Sequence, residues 1–223
     1  MIFYYVLDTE TSGLKAGFHE MNQISIIRVS DNFQKSWNIA VENPNHASSQ
    51  ALQIQGITKA DLKKGITIQQ AIKEVNEFIE EDGLNETARC FIGHNVSFDR
   101  RFMQAAWAKE KLKLNIDLWL CTKKFMKSYV KKYGEDNIKA EQAKVQPGET
   151  KVKYGQDLCL AGVGLKPKFG AHSAAIDSQN CLTLYQFLMD KGLNHARVIE
   201  NKPHEIIGLV KKSSDSGPEM YDF

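Results

Sequence analysis

The sequence predicts a single mixed α/β domain with a short tail, and three observations carry that prediction. Residues 2–41 contain three strand-like runs joined by short connections. Beyond residue 68, apolar residues recur at helical spacing, interrupted by one short, wholly apolar run. The 223 residues are 42% hydrophobic and 25% charged, which excludes wholesale disorder and supplies material for one core. No stretch approaches the ~18–20 apolar residues of a membrane span, so a membrane protein is not expected.

Residues 2–7 are aromatic, β-branched or aliphatic and read as the first strand. Residues 24–29 and 37–41 read as the second and third, with Ser30, Asp31 and Asn32 as a turn between them. Connections this short favour an antiparallel meander. The run Asn43-Pro44-Asn45-His46 breaks the pattern and opens a loop region. Ile68, Ala71, Ile72, Val75, Phe78 and Ile79 then line one helix face, ending near Gly83. Cys90-Phe91-Ile92 is apolar throughout, as a buried strand requires. Phe98, Phe102, Ala105 and Ala106 mark a helix beginning close to Asp99. A basic helix covers residues 122–132 and is expected to bury Phe125, Tyr129 and Tyr133.

Residues 134–153 are polar and lysine-rich and contain Pro147-Gly148, so a long surface loop is expected as an insertion there. Helices at about 157–162 and 174–189 complete a domain spanning residues 1–195. Residues 196–223 are expected to be a C-terminal extension, with a flexible tail from Lys211. Within it, Ile206, Ile207, Leu209 and Val210 form either a final helix packed on the domain or a docking segment for a partner.

Charge is informative in its distribution. Lys and Arg number 29 against 27 Asp and Glu, a net charge of +2. From Arg100 to Lys132, however, ten basic residues face only Glu110 and Asp117, a local balance of +8. Such a segment attracts polyanions, through salt-sensitive contacts to nucleic-acid phosphates, or is simply a solvated helix face. Cys90, Cys121, Cys159 and Cys181 include no Cys-x-x-Cys pair, so neither a zinc knuckle nor a redox motif is indicated. The amino-terminal apolar run stops at Asp8 with no basic residue before it, unlike a signal peptide. Reduced, buried thiols in a cytoplasmic protein are the expectation.

Three short segments stand out chemically. In Val6-Leu7-Asp8-Thr9-Glu10, strand alternation puts Asp8 and Glu10 on one face, where they repel unless a cation lies between them. A hard, oxygen-loving ion such as Mg²⁺ or Mn²⁺ suits them. An EF-hand does not, because the twelfth loop position is His19 and no helix precedes Asp8. Asp99 follows a buried strand at a helix start, a place that serves for capping or for aiming a carboxylate into the crevice at a strand's carboxyl end. His172 sits in a loop after Gly170, and Asp177 falls about one turn into the next helix. Each has an ordinary explanation alone; the conjunction does not.

The segments VLDTETSGL, GHNVSFDRRF and HSAAID, in that order, resemble the three motifs of the DEDDh (DnaQ-like) 3′–5′ exonuclease superfamily, which includes proofreading subunits and exonuclease X-like enzymes. Ile54-Gln55-Gly56-Ile57-Thr58 and the stretch from Trp119 to Lys124 are similar to further family segments. The resemblance covers roughly residues 3–190 and implies an RNase H-like fold, three antiparallel strands followed by parallel ones, flanked by helices. It implies that Asp8, Glu10, Asp99 and Asp177 bind two Mg²⁺ or Mn²⁺ ions and that His172 is the general base. Two such ions activate water, neutralise charge at phosphorus and assist the leaving oxygen, while an imidazole of ordinary pKa ~6.5 accepts a proton near neutrality.

The implied reaction releases nucleoside 5′-monophosphates from single-stranded 3′ ends, with DNA favoured. An exoribonuclease, or a non-catalytic module that binds nucleic acid or a polymerase, is the alternative. The family pattern also points to backbone amides at Thr9, Thr11 and Ser12 as nucleotide contacts, and to Leu14 as a wedge between bases. His94 and Asn95 are either substrate contacts or a structural turn. A DNA polymerase subunit is a possible partner. Gln55 stands where the family usually has His, and Ser25 where many members have Glu.

Overall fold

The computed structural model describes residues 2–85, 88–168 and 172–204. Its strands are β1 (Phe3–Thr11), β2 (Met21–Arg28), β3 (Phe33–Asn38), β4 (Arg89–Gly93), β5 (Leu118–Cys121) and β6 (Ile199–Asn201). They form one sheet in the order β3-β2-β1-β4-β5-β6. β1, β2 and β3 pair antiparallel, β4 and β5 join parallel to β1, and β6 closes the edge antiparallel to β5. The expected antiparallel-then-parallel sheet is therefore present.

Among the described residues the α-helices are α1 (Ser49–Gln55), α2 (Ile68–Glu80), α3 (Ser97–Lys109), α4 (Thr122–Tyr133), α5 (Asp136–Val145), α6 (Gln156–Gly162) and α7 (Ala174–Asp190). Strand alternation assigns them to two cores. Tyr5, Leu7, Ile24, Ile26 and Phe91 face α2 and α3. Val6, Ile27, Cys90, Ile92 and Leu120 face the opposite way, toward α4, α5, α6 and α7. No helix among the described residues is long and apolar enough to cross a membrane. All four cysteines are buried and unpaired.

Several expectations need correction. β1 continues through the acidic residues to Thr11, because β2 pairs with it along that length. The third strand is residues 33–38 rather than 37–41. The apolar residues after it are held instead by loop hydrogen bonds, Ala40 N to Ile66 O at 2.8 Å and Val41 N to Leu62 O at 2.7 Å. The loop region after Asn43 contains α1, whose Ser48 cap accepts from Ala51 N and whose last turn ends at left-handed Gly56.

Half of the expected loop at 134–153 is α5. Its exposed lysines concealed an inward pair, Ile138 and Gln142. Gln142 Nε2 donates to Lys153 O at 2.9 Å and Leu158 O at 2.8 Å, and its Oε1 accepts from Lys153 N at 3.0 Å. Pro147-Gly148 merely follows the helix. Tyr133 is half exposed, not buried; its ring lies 4.7 Å from that of Tyr129, and its hydroxyl donates to Lys191 O at 3.1 Å.

Past the expected boundary at 195, β6 adds to the sheet edge, pairing Ile199 with Leu120. That strand is too short for sequence periodicity to register. The cluster from Ile206 to Val210 and the tail lie outside the described residues.

A buried ion pair ties β1, β4 and the end of α2 together. Arg89 Nη2 lies 2.6 Å from Asp82 Oδ1, the two side chains being 2% and 5% exposed. Asp82 also accepts from Tyr5 Oη at 2.7 Å and from Leu84 N at 2.8 Å. Removing one partner leaves an uncompensated buried charge, so Asp82→Ala should cost about 3–5 kcal/mol in urea unfolding. A loss below about 1 kcal/mol would show that Arg89 finds water or another acceptor.

Candidate active site

The middle of the sheet positions the acids. β4 pairs with β1 only from Phe3 to Val6 before the chain turns at Gly93 into α3, so the β1 edge beyond Val6 is open on that side. Gly93 permits the close approach, because a Cβ there would lie 2.8 Å from Val96 Cγ2 and 3.3 Å from Leu7 O. Asp99, in the first turn of α3, fills the opening. Its Oδ1 accepts from Thr9 N at 3.1 Å and from Thr9 Oγ1 at 2.8 Å. Asp99 is buried.

Asp8 and Glu10 share the face of β1 that carries Val6, against which α7 packs. Asp177, in the first turn of α7, comes down on that face. Asp8, Glu10 and Asp177 each offer a carboxylate oxygen, all within 4.8 Å of one another, and all three are half-buried. His172 Nδ1 lies 3.9 Å from Asp177 Oδ2, its side chain 61% exposed. Four of the five expected catalytic residues thus meet at the carboxyl end of β1, with the imidazole at the rim.

Electrostatics set this cluster apart. Burial, then Asp177 and Asp99, push Glu10 up to about 7. Burial holds Asp99 at about 7 against the Thr9 hydrogen bonds. Asp8 lies well above the usual carboxylate range, through burial and then Asp99, Asp177 and Glu10. Burial also raises Asp177, with His172 opposing it. Among the described residues no lysine or arginine is a cause of these shifts, and the other acids add to burial at Asp8 and Glu10. Converging oxygen donors without an internal cation are the donor set of a hard divalent ion.

Neutral groups brace the cluster. Ser25, opposite Asp8 on β2, sits 3.0 Å from Ser178 Oγ and accepts from Ser36 Oγ and Gln34 Nε2, each at 2.9 Å. Gln34 Nε2 also reaches Ala175 O at 2.8 Å, and Gln156 Nε2 donates to Asp177 O at 2.6 Å. These glutamines and Ser178 were not anticipated, because an uncharged tether carries no sequence signal. Gln55 donates to Thr11 O at 2.8 Å and accepts from Asn22 Nδ2 at 2.7 Å, holding the end of β1.

The expected substrate contacts divide. Thr9, Thr11 and Ser12 are buried. Thr11 Oγ1 donates to Gly13 O at 2.6 Å, Ser12 N donates to Glu20 O at 2.8 Å, and Ser12 Oγ accepts from Glu20 N at 3.0 Å. Leu14 instead stands 74% exposed on the turn they brace. His94 uses both ring nitrogens inside the protein, Nδ1 with Thr122 Oγ1 at 3.0 Å and Nε2 with Tyr154 O at 2.8 Å, and burial lowers its pKa. Asn95 is exposed with φ of 66°, a left-handed turn residue.

A family model described as an exonuclease, RNase_T, matches residues 5–185. The DNA polymerase III PolC-type protein of Streptococcus sanguinis (strain SK36) is 26% identical over 136 residues, 58% of this chain and 8% of that protein. Its counterpart in Bacillus subtilis (strain 168) is 29% identical over 112 residues, 48% of this chain and 7% of that protein. The chain therefore spans less than a tenth of the length of these relatives. Among solved structures, cell-death related nuclease 4 superposes with a TM-score of 0.66 at 14% identity, covering 85% of this chain and 64% of that one. The nuclease domain of 3'hExo, a DEDDh family member bound to rAMP, gives 0.62 at 16% identity, covering 85% and 92%. Exonuclease I of E. coli, in complex with a 5cy-dT13 oligonucleotide, gives 0.64 at 12% identity, covering 86% and 43%. These likenesses establish the RNase H-like exonuclease fold.

A stability test follows from the raised acids. Unfolded carboxylates ionise near ~4, whereas Glu10 and Asp99 hold their protons to about 7. Folded chain binds more protons across that window, so the metal-free protein should lose stability as pH rises from about 4 through about 7. Added Mg²⁺ or Mn²⁺ should then raise Tm by several degrees at pH 8 and hardly at all at pH 5.5, read by thermal unfolding. A Tm indifferent to both pH and metal would mean the acids are neither crowded nor ligands.

Proposed function

The chain belongs to the RNase_T exonuclease family, and on that premise we propose that it is a metal-dependent 3′–5′ exonuclease acting on single-stranded DNA ends. The observation that carries this reading is the convergence of Asp8, Glu10 and Asp177 within 4.8 Å, with Asp99 locked beside them by Thr9. These four carboxylates would hold a pair of Mg²⁺ or Mn²⁺ ions. Such ions, when bound, supply charge neutralisation at the phosphoryl group and lower the pKa of the attacking water.

The remaining work belongs to the chain's own residues. His172, at the rim beside Asp177, takes the proton from the attacking water. Its exposure gives it access to solvent, to which it can pass the proton on. The water oxygen bonds to phosphorus as the bond to the preceding nucleotide's 3′ oxygen breaks, so a nucleoside 5′-monophosphate leaves. Leu14, exposed on its braced turn, wedges against the terminal base.

DNA is favoured because the curated relatives are DNA polymerase III proteins. The same names support a place beside a polymerase subunit. RNA is the second reading, supported by the nuclease domain solved with rAMP. Four buried, unpaired thiols suit a reducing compartment such as the cytoplasm.

The test uses 5′-labelled single-stranded DNA and RNA of one sequence, incubated with Mg²⁺ or Mn²⁺. A ladder shortening from the 3′ end should appear, and should vanish with chelator and in Asp8→Asn and Asp99→Ala. The faster ladder names the substrate. His172→Ala should lower kcat about 10²–10⁴-fold, the usual worth of a general base. No ladder on either strand from folded protein would overturn the reading.

A further inference from the structure

A cavity of about 210 Å³ opens between the β4–α3 connection, the end of β5 and the start of α4. Lys123, Lys124 and Lys127 line it from α4, and Glu200, carried in by β6, is the one acid in its lining. The Glu200 carboxylate accepts a hydrogen bond from Lys124 Nζ and a longer one, at 3.4 Å, from Arg100 Nη1. It therefore bridges cations from two helices, α4 and α3, and those cations hold it below the usual carboxylate range. Lys127 reaches over the Tyr154 ring, 5.4 Å from its centroid. The lining also includes Ser97, two residues before Asp99, so the cavity borders the helix start that carries one of the site carboxylates.

Lysines crowded along one wall, with a single carboxylate between them and Arg100, describe an anion site already holding an anion of the chain's own. We propose that this cavity is a backbone-phosphate subsite for the strand being degraded, and that the Glu200 carboxylate occupies the phosphate's position until nucleic acid displaces it. The inference rests on the nucleic-acid reading above and deepens it. Displacement exchanges one carboxylate for one phosphate, so the cations stay paired throughout. Binding without that competitor is stronger, and its counterion release is larger by one contact.

The experiment measures equilibrium binding of a labelled single-stranded oligothymidylate by fluorescence anisotropy across a salt series. It uses the full chain in an Asp8→Asn background to suppress turnover. Glu200→Gln should tighten binding about 3–10-fold at low salt and steepen the slope of log Kd against log salt by about 0.7, one phosphate contact on a single strand. Lys127→Ala, which leaves the Glu200 contacts intact, should weaken binding by a similar factor and flatten the slope by about 0.7.

Thermal unfolding of each variant separates these effects from loss of fold. If folded Glu200→Gln binds no tighter, with an unchanged slope, Glu200 is a brace for β6 and the proposal is wrong. Affinity indifferent to both substitutions removes the subsite alone. No binding by the Asp8→Asn protein itself at low salt removes the nucleic-acid reading, and the subsite with it.

Discussion

Mutual repulsion among acids at the end of one strand is the constraint around which this molecule is arranged. Two ionised carboxylates within 4.8 Å repel by about 3 kcal/mol or more at an effective dielectric of ~20, and a third and fourth add to this. Left alone, such side chains would swing into solvent. They stay because β1 lies between β2 and β4 in mid-sheet, and because α3 and α7 each begin against it. The raised pKa values of Asp8, Glu10, Asp99 and Asp177 are the energetic trace of that confinement.

What restrains the acids is as telling as where they sit. An arginine or lysine among them would neutralise the cluster internally and leave little attraction for a divalent ion. The structure uses neutral donors instead. Thr9 fixes Asp99 through amide and hydroxyl together; Ser25, Ser178 and Gln34 join the sheet to α7 next to Asp177; Gln156 holds the Asp177 carbonyl. Orientation is fixed while the negative charge remains unspent. The Ser25 hydroxyl, where many family members carry Glu, suits this division because a further acid beside Asp8 would deepen the repulsion.

Periodicity alone gave the acids a position, and the resemblance of their segments to exonuclease motifs singled them out as a set. Asp8 and Glu10 share a face by strand alternation, and Asp99 and Asp177 fall in first helical turns that begin where apolar spacing begins. The tethers were not legible, since an uncharged glutamine or serine on another element carries no local pattern. The errors of fold have similar causes. In α5 most residues are polar and only Ile138 and Gln142 are buried, so composition misled. β5 and β6 are four and three residues long, too short for alternation to register. At the end of β1, Leu14 is exposed on the turn, while Thr9, Thr11 and Ser12 before it are buried.

That buried stretch bears on selectivity between DNA and RNA. Telling them apart requires a donor or acceptor positioned for the 2′-hydroxyl. Thr9, Thr11 and Ser12 are buried and committed to the protein, and both His94 nitrogens are engaged. Leu14 is exposed and offers only apolar surface, Asn95 stands on a left-handed turn, and His172 is exposed beside Asp177. Contacts of the first kind, together with phosphate contacts, do not distinguish the two sugars. Under the proposed reading, discrimination therefore needs a donor or acceptor other than these committed groups.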